Sequence, residues 1–414
     1  MSDPLAAVIE LAQQLIAIPS PSPMRPRAGT DRGEGAMIEY LMDWSEQLGF
    51  EASVVGSTPG AESLTVWLPG NPDRGLFLLD AHLDTVPAGD WKDAFQGQVV
   101  EGRLLGRGAC DVKGPMAVML VTLERLSRLP ESERPSVLFV GSADEEFGQA
   151  GVSEVVARWQ ESPPAFSRGR ELRGVIVAEP TELHPVVAHH GVLRWTASTM
   201  GQAAHSSRPE LGVNAIHAMS HVVGHWEQYA HRLETADRVH PLCGGPRTSI
   251  GMIRGGSAVN IVPALCEIEI DRRVAPTETI ESAWREVMAE LKQVGDIQVE
   301  SSEPWCVSLP LDDSANHGLA QAICERVQRL GVDAMPIGVS FGTHAPRYQA
   351  LGAPVVVWGP GSIAQAHTLG EWIDLGQLEL ASEAFYSCLS DADFAACLSL
   401  RSRADPSRAA SRRT

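Results

Sequence analysis

Leu76-Phe77-Leu78-Leu79-Asp80-Ala81-His82-Leu83-Asp84 reads as a buried strand that runs straight into a metal-type ligand. In four more segments a buried strand or a tight turn likewise leads to such a ligand: Gly106-Arg107-Gly108-Ala109-Cys110-Asp111, Val137 to Glu146, Val175-Ile176-Val177-Ala178-Glu179, and Val355-Val356-Val357-Trp358 leading to His367. In an open α/β sheet, ligands bind in the crevice beyond the carboxyl ends of the strands. His, Asp and Glu placed at such ends therefore point into one site. Two His and three acids, with spare carboxylates beside them, match a site for two divalent metals and an activated water.

Outward from these segments, apolar spacing predicts helices over Leu5 to Ile18 and Met37 to Leu48, with a Pro-, Arg- and Gly-rich loop from Ser20 to Gly35 between them. A helix opened by Gly114 and Pro115 follows Asp111 and is expected to bury one face through Met116, Met119, Leu120, Leu123 and Leu126. Strand–helix alternation to about Glu179 predicts an α/β fold: a mixed, mostly parallel sheet flanked by helices. The pattern changes near Val187. Strands over Leu193 to Met200, Thr248 to Arg254 and Leu265 to Val274, helices over Asn214 to Leu233 and Thr279 to Lys292, and a last strand over Ile297 to Glu300 follow in the order β-α-β-β-α-β. That is the ferredoxin-like α+β plan, complete in itself. It lies between Glu179 and His367, so it reads as an insertion. The expected division is a catalytic domain over residues 1–186 and 302–400, an inserted domain over 187–301, and a disordered, Arg-rich tail over 401–414.

Length and composition agree. At 414 residues, 44% apolar and 21% charged, the chain is long enough for two or three ordinary globular domains. A formal charge of −19 argues against nucleic acid or an anionic membrane as partner. No apolar run reaches membrane-span length, and Met1-Ser2-Asp3-Pro4 does not open a secretory signal. Seven scattered Cys without a C-x-x-C pair suggest reduced thiols and a cytoplasmic location.

Each candidate residue has its own chemistry. His82 can ligate a metal, and Asp84 can accept the other ring N–H and so fix the tautomer. The small residues before Asp111 allow close backbone approach, and its carboxylate can bridge two metals. A dinucleotide fingerprint would need Gly where Asp111 stands. Cys110 reads as a packing residue. Glu145 and Glu146 are adjacent and point different ways beyond their strand, so one can bind metal while the other holds a proton. Glu179 ends a strand before Pro180, and the glycines before His367 permit a tight approach.

These motifs carry a resemblance. H-L-D-T-V at His82, G-R-G-A-C-D-V-K-G around Asp111, D-E-E-F-G around Glu145, A-E-P-T at Glu179 and A-H at His367, with Glu371 beyond it, resemble the two-zinc amidohydrolase and exopeptidase family. That family includes acetylornithine deacetylase, succinyl-diaminopimelate desuccinylase, carboxypeptidase G and aminoacylase. The resemblance spans about Leu5 to Leu389. It implies a zinc exopeptidase-like fold and two zinc ions per subunit, cobalt or manganese being alternatives. Asp111 would bridge the metals, one also taking His82 and Glu179 and the other Glu146 and His367. Glu145 would be the general base, and the Asp111–Val112 peptide would be cis. In the inserted domain, His205 would reach a partner subunit's site as oxyanion stabiliser, making the enzyme a homodimer. Asn260 and Arg273, with Gly342 and Thr343, would bind substrate. The implied substrate is a small N-acyl amino acid or short peptide. Gly359 to His367 is most similar to acetylornithine deacetylase; a desuccinylase or a dipeptidase is the alternative. His344 departs from the family, where many members carry an acid.

A serine hydrolase is the remote alternative, because Gly338-Val339-Ser340-Phe341-Gly342 fits G-x-S-x-G. A nucleophile elbow needs a strand before Ser340 and a helix after it. Here the preceding strand is weak and Pro346 interrupts the helix.

Overall fold

The structure is a computed structural model that describes residues 3–22, 33–233 and 238–394. The expected tail over 401–414 and most of the Ser20–Gly35 loop lie outside the described residues. The chain divides into two compact units. One comprises the chain up to Val187, Asp313–Ile337 and the chain from His344 onward; the other comprises Ala188–Asp312 and Gly338–Thr343. The sequence placed the insertion at 187–301. The second unit runs further because Cys306–Ser308 pairs antiparallel with Gly191–Met200.

The first unit holds six strands of an eight-stranded sheet and the first residues of the other two. The strand order is Glu51–Val55, Ser63–Leu68, Ser136–Ser142, Leu76–His82, Leu172–Val177, Val355–Val357, Val186–His189 and Ile337–Val339. Leu76–His82 runs parallel to both its neighbours, and Val355–Val357 runs parallel to Leu172–Val177. Ser63–Leu68 pairs antiparallel on either side, so the sheet is mixed with a parallel centre. Every residue of Leu76–His82 and of Ser136–Ser142 is buried. Such near-continuous apolar strands belong to a sheet covered on both faces. The parallel centre has a consequence for function: the carboxyl ends of four strands, leading to His82, Glu145, Glu179 and Gly359, emerge on one side.

The helix after Asp111 spans Lys113–Ser127, with Pro115 in its first turn, where the missing N–H costs nothing. It does not bury one face. Lys113 to Leu123 are all buried, and Leu126 with them. The reason is its position within the main core, where it contacts both Pro4–Ile16 and Leu375–Ser390. No described helix is long and apolar enough to cross a membrane.

The second unit is an antiparallel sheet in the order Arg247–Gly255, Leu265–Val274, Gly191–Met200, Val299–Ser301. Its helices are Ala215–Leu233 and Ile280–Leu291. Thr279 caps the latter, accepting from the Ser282 N–H while the Ser282 hydroxyl accepts from the Thr279 N–H. Cys266, Ile268, Ile270, Arg272 and Val274 face the helices. Trp195 anchors that core edge-on to Trp226 and Trp284, with ring centroids 5.6 and 5.4 Å away. Arg247–Gly255 is a free sheet edge with Met252 and Ile253 exposed, and Val259 stands fully exposed beyond it.

Candidate active site

His82 is the last residue of its strand and is buried. Its Nδ1 donates to the Asp84 carbonyl at 2.9 Å, while the Asp84 carboxylate is 3.5 Å away. The backbone carbonyl, rather than the expected carboxylate, thus makes the shorter contact that orients the ring. The carboxylate instead receives the N–H of Glu145 on one oxygen and of Glu146 on the other, each at 3.1 Å. Asp84 therefore ties two strand ends together. Asp144, at φ 62°, turns the chain just before the two glutamates.

The His82 Nε2 lies 2.9 Å from Asp111 Oδ1, and the His367 Nε2 lies 3.2 Å from Asp111 Oδ2. His367 is also 3.2 Å from Glu146. One carboxylate thus stands between two imidazoles and presents one oxygen to each. Glu179 completes the set: one ligand atom each from His82, Glu145 and Glu179 lie within 4.8 Å of one another, and so do those of His82, Asp111 and Glu146. The first unit thereby brings together all five sequence-predicted ligands and Glu145.

The cluster crowds ionisable groups together. Burial, then the Asp111 charge, pushes the Glu146 carboxyl up to about 7. Burial, then Asp111 and Glu145, pushes Glu179 up as well. Burial also penalises an ionised Asp111, but the imidazoles of His367 and His82 together hold it well below the usual carboxylate range. Burial works against a charged His82 too, but its contacts with Asp111 and Asp84 hold the imidazole well above its ordinary range, so a proton occupies the place between His82 and Asp111 that a cation could share. Imidazole and carboxylate donors suit zinc, cobalt or manganese. The donor set therefore fits a metal centre.

The sequence reading gave no role to two buried carboxylates that build this site. Glu371 accepts from the N–H groups of Gly108, Cys110 and Asp111 at 3.1, 2.9 and 3.0 Å, and from Arg107 at 2.5 Å. It moulds the loop that carries Asp111, where the Asp111–Val112 peptide is cis. Cys110 packs inside, its thiol donating to the Ser362 carbonyl. Asp80, in the middle of the apolar strand, accepts from Ser142 Oγ at 3.0 Å, Tyr348 Oη at 2.5 Å and His344 Nε2 at 2.6 Å. The signal was present in the sequence: a charge inside a fully apolar strand must have partners. Gly359 closes the floor, since a Cβ there would meet the Glu179 carbonyl at 2.7 Å.

The remaining predicted residues belong to the second unit. His205 is exposed, and its Nδ1 accepts from the Ser207 N–H at 3.2 Å, which leaves Nε2 to carry the proton. Asn260 is beside it, its carbonyl accepting from Ser206 N–H at 3.0 Å. Arg273 donates to Asp271 at 2.8 Å. Thr343 hydrogen-bonds His189 at 3.0 Å, and Gly342 allows close approach to the His190 carbonyl, which a Cβ would meet at 2.9 Å. These residues form two groups. Arg273 is near the end of Leu265–Val274, whereas His205 and Asn260 lie in loops before its start. Eight residues of extended strand separate Leu265 from Arg273, roughly 26 Å.

Ser340 is exposed, and among the described residues no histidine hydrogen-bonds it. The strand before it is Ile337–Val339, and the segment after it is the short 3-10 helix Ala345–Leu351. No nucleophile elbow forms.

The fold and the converging donors define a metallohydrolase of amide bonds. The chain belongs to peptidase family M20/M25/M40, whose model matches residues 78–391. An acetylornithine deacetylase of Proteus mirabilis is 35% identical over 399 residues, covering 92% of this chain and 96% of its own. Among solved structures, a metallo-carboxypeptidase of the M20 family from Sulfolobus solfataricus superposes with a TM-score of 0.73 at 17% identity, over 94% of this chain and 99% of that one. A dinuclear metal-binding M20 peptidase of Bacillus subtilis gives 0.62 at 17%, over 96% and 99%. At those identities the likeness is one of fold.

Proposed function

We propose that this protein hydrolyses the amide bond of an N-acyl amino acid, in the manner of an acetylornithine deacetylase, using two divalent metal ions, zinc foremost. The observation that carries this reading is the Asp111 carboxylate, divided between His82 and His367 with Glu146 and Glu179 on either side. His82, Asp111 and Glu179 would hold one ion, and Glu146, Asp111 and His367 the other. Such ions polarise the scissile carbonyl and lower the pKa of water toward neutrality.

The chain's own residues do the rest. Glu145, tied through its backbone to Asp84, takes the proton of the attacking water and returns it to the leaving amine. Arg273 holds the carboxylate end of the substrate, Arg forming the bidentate pair that suits it, with Gly342 and Thr343 lining the same region, and Asn260, which stands with His205, joins it from whichever copy supplies His205. His205, with Nε2–H free to donate, stabilises the oxyanion.

The distance between His205 and Arg273 along one sheet supports a shared site, in which His205 is supplied by a second copy in a homodimer. The free edge at Arg247–Gly255, with Met252, Ile253 and Val259 exposed, supports the same pairing. A cytoplasmic location is consistent with the buried thiols of Cys110, Cys266, Cys324 and Cys388, none of them in a disulfide. A panel of N-acetyl and N-succinyl amino acids and dipeptides, scored by released amine before and after chelation, tests the reading. Release confined to N-acetyl substrates and abolished by chelation is expected. Chelator-resistant turnover would sink the metal mechanism, and a preference for dipeptides would move the substrate to the alternative class.

A further inference from the structure

His344 is fully buried, and one of its nitrogens has no hydrogen-bond partner. Its Nε2 is committed to Asp80 at 2.6 Å. Asp80 is fixed in turn by the hydroxyls of Tyr348 and Ser142, so the imidazole is clamped from behind. The other nitrogen, Nδ1, faces Glu145 Oε1 at 3.7 Å. That is just beyond hydrogen-bond reach. The Glu145 carboxylate is 12% exposed. Its backbone is held by Asp84, and among the described residues no hydrogen bond of normal length holds the carboxylate itself. An unpartnered buried nitrogen and an unpartnered carboxylate oxygen therefore face each other across a gap that a small rotation of the Glu145 side chain closes.

An orphaned buried polar atom costs free energy unless some state of the protein satisfies it. Catalytic hydrogen bonds are often long in the free enzyme and tighten in complexes with substrate. We propose that His344 is a positioning residue for Glu145, in a buried line Asp80–His344–Glu145 that holds Oε1 and leaves Oε2 to face the attacking water. The inference rests on the reading of Glu145 as general base. It gives a purpose to Asp80, whose charge would otherwise be an expensive inclusion in the central strand. It also accounts for the tight anchoring of a side chain that binds no metal in the scheme above.

The test separates the ring's two nitrogens. In His344→Gln the amide nitrogen stands near the former Nε2 and keeps the Asp80 bond, while the group facing Glu145 is lost. The expected result is a kcat lower by about 10- to 100-fold, the range for a hydrogen bond to a charged group, with KM and bound metal unchanged. Tyr348→Phe removes a comparable bond to Asp80 without touching Nδ1, and should leave kcat within about threefold. Glu145→Asp withdraws the carboxylate from the ring, so adding His344→Gln to it should cost nothing further. Unchanged kcat in His344→Gln, equal losses in His344→Gln and Tyr348→Phe, loss of metal, or full additivity with Glu145→Asp would each overturn the proposal. Glu145→Gln distinguishes the underlying reading: if that variant stays active, Glu145 is not the base, whatever His344 does.

Discussion

The two sheets of this protein use the same backbone geometry for opposite purposes. In the first unit, Leu76–His82 and Ser136–Ser142 are buried at every position. In the second, Leu265–Val274 alternates strictly between an inward row, apolar except for Arg272, and an outward polar row of Glu267, Glu269, Asp271 and Arg273. A sheet covered on both faces has no lateral surface on which to place chemistry, so its functional groups appear where the strands stop. A sheet covered on one face can carry polar groups along its length, and they act only when something is brought to that face. The first arrangement gives a pre-assembled, largely buried cluster. In the proposed mechanism the second supplies groups that act only once substrate or a second copy is brought to them.

The largest effect expected from this contrast is at a strand end. Glu145→Gln should lower kcat by about 10²- to 10⁴-fold while both metals stay bound, because the residue acts on a proton rather than on the ions. Steady-state kinetics with elemental analysis checks this; loss of metal alongside activity would make Glu145 a ligand.

The contrast in burial can itself be broken. Leu138 and Phe139 are neighbours on opposite faces of one strand and both are buried. Replacing either with Ala should cost about 2–5 kcal/mol in denaturant unfolding. In the second sheet Ile268→Ala should cost a similar amount, whereas the adjacent Glu267→Ala should stay within about 0.5 kcal/mol. Equal costs at 267 and 268 would mean that the outer face of this sheet is covered in solution.

The dependence on a second copy is tested by mixing chains. Glu145→Ala and His205→Ala should each be inactive. Random refolding together makes half the dimers mixed, each with one complete site, so activity should return to roughly a quarter of wild type. Mixed dimers that remain inactive would place His205 in its own subunit's chemistry or outside it.

Much of this was legible along the chain, and the reasons differ by element. The amphipathic stripe of Ile280–Leu291 and the alternation of Leu265–Val274 each record one face in water, so period and burial coincide. The helix Lys113–Ser127 was expected to bury one stripe and buries nearly its whole circumference, because other helices pack on its remaining side. The candidate metal donors were readable because His82, Glu146 and Glu179 stand at or just beyond apolar runs that read as interior strands, and Asp111 and His367 follow turns of small residues. Glu371 was not, since its importance lies in which backbone amides fold against it, and Asp80 showed only as a charge inside an apolar strand, its hydroxyl and ring partners being set by the fold.

The sequence by itself determined the alternating α/β pattern, the inserted β-α-β-β-α-β unit and the residue types of the metal cluster, because periodicity and strand-end placement are local properties. Tertiary structure alone decided that Asp84 spends its carboxylate on the amides of Glu145 and Glu146, that Asp111 stands between His82 and His367, and that His344 meets Asp80 across 264 residues of chain. Those contacts join segments far apart in sequence. Hydrogen bonds between such segments depend on ångström-scale placement by the whole packed core, which no local pattern encodes.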